Sequence, residues 1–345
     1  MGRDGLRMTL WFVLYIFCGG AGYALGEQRE VLLFSNTYDA VLLKIDGRAV
    51  DLPAPPGFRG QGLASLPSLS PDGNLIAWGL TLPYSVASGS ETEEHLKPFA
   101  GKSVLGVYSV NGKLWRFYGD FCSNGVGSTA FAADGKRIAF FATKALSAPN
   151  CEANLSERHS FQLHTLDLQS GSITVVPGTE CLMENAGISW SPDGKYLVGQ
   201  VGAWVQESHQ IVVIELATGT RRILAEGIDP SWSPSGEWIA YLTGWRDKCV
   251  LIHPDGTGAH VVLGSHSGFS EGAVWSPDSE SLLLNEGFFY DKNDVWKLAL
   301  SGDKAVRKMP RLMYVFGWAV TSRLSPESSP HDHPNQNVAE SPATR

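Results

Sequence analysis

Six ionisable residues have the types that acid–base or ionic chemistry needs: Asp120, His159, Glu184, Asp229, Arg246 and Glu271. A carboxylate set against an arginine or a second carboxylate has its proton affinity shifted, which a general acid or base requires. A second set is aromatic. Trp204, Trp245 and Phe289, the last flanked by Phe288 and Tyr290, lie 13 to 15 residues after Trp190, Trp232 and Trp275, and Tyr84 stands in a comparable place after Leu69. Amphipathic aromatics stack sugars and anchor peptides, and they also close apolar rims. Convergence of the first set at one point would favour an enzyme; open display of the second would favour a binder.

Other patterns carry less. Gly268-Phe269-Ser270-Glu271-Gly272 matches G-x-S-x-G, which marks a nucleophile only between a strand and a helix of a hydrolase sheet. Nothing that follows it reads as such a domain. No H-E-x-x-H or C-x-x-C occurs, and Asp291, Asn293 and Asp294 lack the rest of a calcium loop. His331 and His333 fall in a polar, Pro-containing tail. No cofactor, no metal and no catalytic residue is expected. Asn154-Leu155-Ser156 is a glycosylation acceptor only in a eukaryotic secretory pathway.

The N-terminus gives the compartment. Arg3 and Arg7 precede an apolar core from Met8 to Cys18, and small residues follow through Gly26. That layout is a secretory signal peptide over residues 1–26, with an uncleaved membrane anchor as the alternative. Its core is shorter than the roughly 20 residues of a spanning helix. Removing those residues takes the net charge from −8 to −9. Lys and Arg are scattered, without the basic patch of a nucleic-acid binder. No membrane insertion is expected after signal removal.

The elements that must position these residues repeat. SWSPDGKYLVG from Ser189, SWSPSGEWIAYLT from Ser231, VWSPDSESLLLNE from Val274 and SLSPDGNLIAWGL from Ser68 are copies of one unit, and AFAADGKRIAFFA from Ala130 is a weaker one. The steps from Trp190 to Trp232, Trp275 and Trp318 are 42, 43 and 43 residues. In each unit an apolar strand meets a Pro-Asp-Gly turn and an apolar return strand. A second hairpin follows, as in QIVVIELATGTRRILAE. Asp72, Asp134, Asp193 and Asp278 therefore recur because the turn recurs.

Four strands in about 40 residues, repeated, describe propeller blades. The W-S-P-D-G-K pattern followed by Glu215-Leu216, Thr218-Gly219, or by Leu166-Asp167-Leu168 and Ser170-Gly171, resembles the TolB-like, or WD40-like, propeller repeat over residues 29 to 322. The fold class implied is all-β: a six-bladed β-propeller of four-stranded antiparallel blades over 27–322, followed by a disordered tail over 323–345. VLLFSNT, AVLLKIDG and RAVDLP near the start supply three strands of a blade, and MYVFGWAV near the end supplies the fourth. The N- and C-terminal strands should share that last blade, which removes two exposed sheet edges. Trp190, Trp232, Trp275 and Trp318 should sit between blades as core.

In such a blade the Pro-Asp-Gly turns share one face with the second hairpin turns, and the remaining connections lie on the other. The long insertions, Leu82 to Lys102 and Thr143 to His159, fall on that other face. Binding residues concentrate on such loops. For an exported chain, disulfides are expected: Cys151 paired with Cys122 or with Cys181, leaving Cys249 alone, or all four unpaired. The expected function is a non-catalytic, monomeric scaffold that holds a protein or peptide, with carbohydrate as a possible ligand, on the insertion-bearing face in the periplasm or outside the cell. The alternative is a lyase or hydrolase acting on a polysaccharide at the channel mouth. TolB proteins carry a further domain before the propeller, whereas here the repeats begin soon after the signal, so the resemblance implies the fold more than a part in a Tol-type envelope system.

Overall fold

The computed structural model describes residues 29–35, 41–45, 48–53, 67–81, 103–121, 125–142, 161–179, 187–201, 209–265, 268–287, 294–301, 306–309 and 314–321. The expected signal peptide, the C-terminal tail and both long insertions lie outside them. Every described element is a strand, and each repeat unit makes one four-stranded antiparallel sheet.

The chain opens with β1 (Arg29–Ser35), β2 (Val41–Ile45) and β3 (Arg48–Asp51). The second sheet runs β4 (Ser68–Leu69), β5 (Leu75–Thr81), β6 (Ser103–Ser109) and β7 (Leu114–Phe121). The third holds β8 (Val126–Phe131), β9 (Arg137–Ala142), β10 (Gln162–Asp167) and β11 (Ile173–Val175). The fourth holds β12 (Ser189–Trp190), β13 (Tyr196–Val201), β14 (Gln210–Glu215) and β15 (Arg221–Glu226). In the fifth are β16 (Ile228–Trp232), β17 (Ile239–Leu242), β18 (Lys248–Ile252) and β19 (His260–Gly264). The sixth comprises β20 (Val274–Trp275), β21 (Ser281–Glu286), β22 (Asp294–Ala299) and β23 (Val306–Met309). Last comes β24 (Tyr314–Thr321), which pairs with β1 so that Leu32 faces Trp318 and Val31 faces Ala319. The first sheet therefore has the order β24-β1-β2-β3, built from both ends of the chain.

The turn chemistry is uniform. Ser191 donates its hydroxyl to Asp193 Oδ1 at 2.6 Å and accepts from the Tyr196 amide at 2.9 Å. Ser70 with Asp72 and Ser276 with Asp278 repeat this, while Ser235 takes the aspartate's place beside Ser233. Gly194 has φ +67°, the left-handed conformation that the turn's fourth residue needs. These aspartates are spent on their own turns.

Apolar faces of successive sheets pack on one another. Trp190, 5% exposed, lies with Phe141 and Leu163 of the third sheet and Ile214 of the fourth, and its Nε1 donates to Ala130 O at 3.0 Å. Trp275 does the same toward the fifth sheet through Ser231 O at 3.0 Å. Trp232 packs on Val198 and Ile211 of the fourth sheet but donates to Gly236 O in its own turn, and Trp318 packs on Leu283 and Val295 of the sixth. All four tryptophans are intersheet core, as expected. Burying one is worth on the order of 4 to 6 kcal/mol as an upper bound. The first strands of successive sheets touch in order, β4 to β8, β12, β16, β20 and β24, and β24 touches β4. The arrangement is consistent with a six-bladed propeller.

Candidate functional site

The described residues bring three of the six charged candidates together. Asp229 stands near the start of β16, three residues before Trp232. Its equivalents three residues before Trp190 and Trp275 are Gly187 and Gly272. A Cβ on Gly187 would come 3.0 Å from Asp229 Cα, and one on Gly272 would come 2.8 Å from Asp229 O. The two glycines thus let the chain close around a carboxylate where neighbouring strands carry no side chain. Asp229 has φ +50°, a region costly for most non-glycine residues.

Arg246 reaches this aspartate from the turn between β17 and β18, itself at φ +56°. Its Nη2 lies 2.9 Å from Asp229 Oδ2, and its Nη1 donates to Ser270 O. The turn is braced: Arg246 N donates to Thr243 O, Thr243 Oγ1 donates to Asp247 Oδ1 at 2.5 Å, and Phe269 N donates to Arg246 O at 2.7 Å. Glu271, in the loop that enters β20, stands between Ser270, whose carbonyl accepts from Arg246 Nη1, and Gly272, which packs on Asp229, and the charges of Asp229 and Arg246 both act on it.

Electrostatics follow from burial. The Asp229 side chain is 7% exposed, and burial pushes its carboxyl up against the opposing pull of Arg246 and the Gly187 amide. Burial, reinforced by the Asp229 charge and only partly offset by Arg246, pushes the Glu271 carboxyl up to about 8. Asp229 Oδ2 is held by Arg246 Nη2 at 2.9 Å, and His209 Nδ1 is buried without a hydrogen-bond partner among the described residues.

Trp245 precedes Arg246 in the braced turn and is 90% exposed. One short loop therefore sends a cation into the protein and an indole into solvent. Asp120 lies elsewhere, on β7, the outermost strand of the second sheet. Tyr84, Trp204, Phe289, His159 and Glu184, and the disulfide candidates Cys122, Cys151 and Cys181, lie outside the described residues. Cys249 on β18 is free and buried, which pushes its thiol up to about 12. Ser270 of the G-x-S-x-G match is buried; its Oγ donates to Asn285 O at 3.4 Å, and among the described residues no base is positioned on it. Among the described residues no group of His, Cys, Asp or Glu could hold a metal ion.

Sequence reasoning missed two buried amides. Gln200 and Asn285 each stand ten residues after their sheet's tryptophan. Gln200 Oε1 accepts from Asp229 N at 3.0 Å. Asn285 Oδ1 accepts from Val315 N at 2.9 Å while its Nδ2 donates to Val315 O at 3.1 Å. Each latches onto the next sheet at the residue three before that sheet's tryptophan. The available signal was an amide within an apolar strand, YLVGQV and SLLLNE.

No family model matches the chain. Among solved structures it is similar to TolB from Acinetobacter baumannii, at TM-score 0.56 and 15% identity, covering 85% of this chain and 66% of that one. It therefore spans just under two thirds of that protein. A putative TolB from Agrobacterium tumefaciens gives TM-score 0.54 and 16% identity, covering 85% and 91% of the two chains. A chain of a nidogen/laminin complex gives 0.55 and 12%, covering 86% and 98%. At such identities likeness speaks for architecture alone, and with the six sheets and their repeated turns it shows that this chain has a TolB-like propeller fold.

Proposed function

We propose that the chain is an exported, closed six-bladed propeller that acts as a scaffold, holding a protein or peptide partner on the face that carries the long connections. The observation that supports this most is Trp245. A tryptophan 90% exposed on a turn fixed by the Thr243, Asp247 and Arg246 hydrogen bonds gives a large apolar contact with little conformational entropy to lose on binding. Export rests on the N-terminal segment. No helix among the described residues is long and apolar enough to cross a membrane.

The meeting of Asp229, Arg246 and Glu271 favours a second reading, a polysaccharide lyase or hydrolase with Glu271 as general acid. Against it, Asp229 Oδ2 is buried and the guanidinium already serves Asp229 and Ser270. A catalytic group must come within hydrogen-bond reach of its substrate. Affinity capture with wild-type protein and Trp245→Ala separates the readings. Partner recovery should fall about tenfold or more with no change in melting temperature, as for an interface hot spot. Equal recovery by both proteins contradicts the proposal.

A further inference from the structure

Arg137, Tyr196 and Trp238 each stand six residues after the aromatic of their sheet, just past its first turn, at the seam with the next sheet. Between the third and fourth sheets, the Arg137 guanidinium lies 4.7 Å over the Trp190 ring, and its Nη1 donates to Gly194 O at 3.2 Å. A Cβ on Gly194 would come 2.2 Å from Arg137 Nη2, so the guanidinium occupies this groove. Between the fifth and sixth sheets, Trp238 stacks on His253 at 3.8 Å. Between the fourth and fifth, Tyr196 lines an open cleft of about 600 Å³. Trp232, 9% exposed, forms part of the same wall; its indole is turned to Gly236 O of its own turn, whereas Trp190 and Trp275 donate across their seams. Pro192 from the fourth sheet and Pro254 from the fifth complete the apolar lining.

We propose that this cleft is a second docking site, for a proline-rich segment of a partner protein that carries an arginine or lysine beside its prolines. It lies at the opposite end of the fifth sheet from Trp245 and does not depend on the reading of that face. A polyproline II segment packs its pyrrolidine rings on aromatic faces, and its carbonyls have no donor within their own chain. Donors stand in the same wall: the Tyr196 hydroxyl and the guanidinium of Arg222, whose Nη2 crosses the seam to Pro254 O. Charge favours a basic segment, because the carboxylates of Asp193 and Glu215 outnumber the Arg222 cation along the cleft. A saccharide suits it less. Sugar hydroxyls need several convergent polar groups, whereas Asp193 Oδ1 already accepts from the Ser191 hydroxyl and the Lys195 amide, and Glu215 Oε2 from the Thr218 hydroxyl.

The test is calorimetric titration of the full chain with a capped peptide of one arginine followed by six prolines. This peptide should bind, whereas one of equal length and charge with alternating glycine and serine in place of proline, a flexible coil, should not. Tyr196→Arg, which sets the Arg137 arrangement at this seam, should keep the wild-type melting temperature and weaken binding tenfold or more. Glu215→Gln, an isosteric change, should weaken the arginyl peptide about two- to fivefold, as for an exposed ion pair, and leave an uncharged hexaproline unaffected. No binding of the arginyl peptide, equal binding of the glycine–serine peptide, undiminished binding by folded Tyr196→Arg, or equal losses for the charged and uncharged peptides in Glu215→Gln would each overturn the proposal. Binding of cellohexaose that is lost in Tyr196→Arg would assign the cleft to a saccharide and overturn it as well.

Discussion

At the scale of single residues, burial decides behaviour more than residue type does. Glu271 and Asp278 are both acidic loop residues, yet the first is pushed up to about 8 and the second is held below the ordinary range by the Ser276 hydroxyl and the Glu280 amide. The sign of the stability effect follows. Between the unfolded glutamate value and about 8 the folded state binds the Glu271 proton more tightly, so this contribution is full at low pH and is lost as pH rises through 8. The melting temperature of wild-type protein should therefore fall from pH 6 to pH 9 by more than that of Glu271→Gln. Parallel curves from scanning calorimetry would contradict the assignment. Cys249 gives a second check. With its thiol fully buried, it should resist a thiol reagent in native protein and react once unfolded; rapid native labelling of Cys249, identified by peptide mapping, would be the opposite result.

At the scale of elements, the seams between sheets carry polar latches that the apolar pattern hides. Asn285 satisfies both the amide and the carbonyl of Val315 from a fully buried position. Asn285→Ala should cost about 2 to 4 kcal/mol, since it removes two hydrogen bonds and strands two buried backbone groups. Denaturant unfolding measures this, and a loss under 1 kcal/mol would mean the latch is not structural. The sequence made the strands, their turns and the intersheet tryptophans legible, because each rests on a local period and on Ser-Pro-Asp-Gly chemistry that Ser191, Asp193 and Gly194 satisfy within one turn. It also put Asp229, Arg246 and Glu271 on one shortlist with Asp120. Only the contact between the fifth and sixth sheets separates them, and no local pattern encodes that. Gln200 and Asn285 escaped because a buried amide looks like any polar residue until its partner on the next sheet is known.

At the scale of the whole molecule, stability depends on the two ends of the chain. β1 has a partner on one side from β2 and on the other only from β24, which arrives after nearly 300 residues. In the closed ring proposed here, the first sheet is the point where the wheel is fastened, and a sheet without β24 would expose an edge and the apolar faces of Val31 and Leu33. The most direct test is hydrogen exchange read by mass spectrometry on the full chain and on a chain ending at Arg311. Amides of Val31 to Phe34 should exchange slowly in the first and lose that protection in the second, with a lowered melting temperature. Retained protection of Val31 to Phe34 in the shortened chain would contradict the pairing on which the architecture rests.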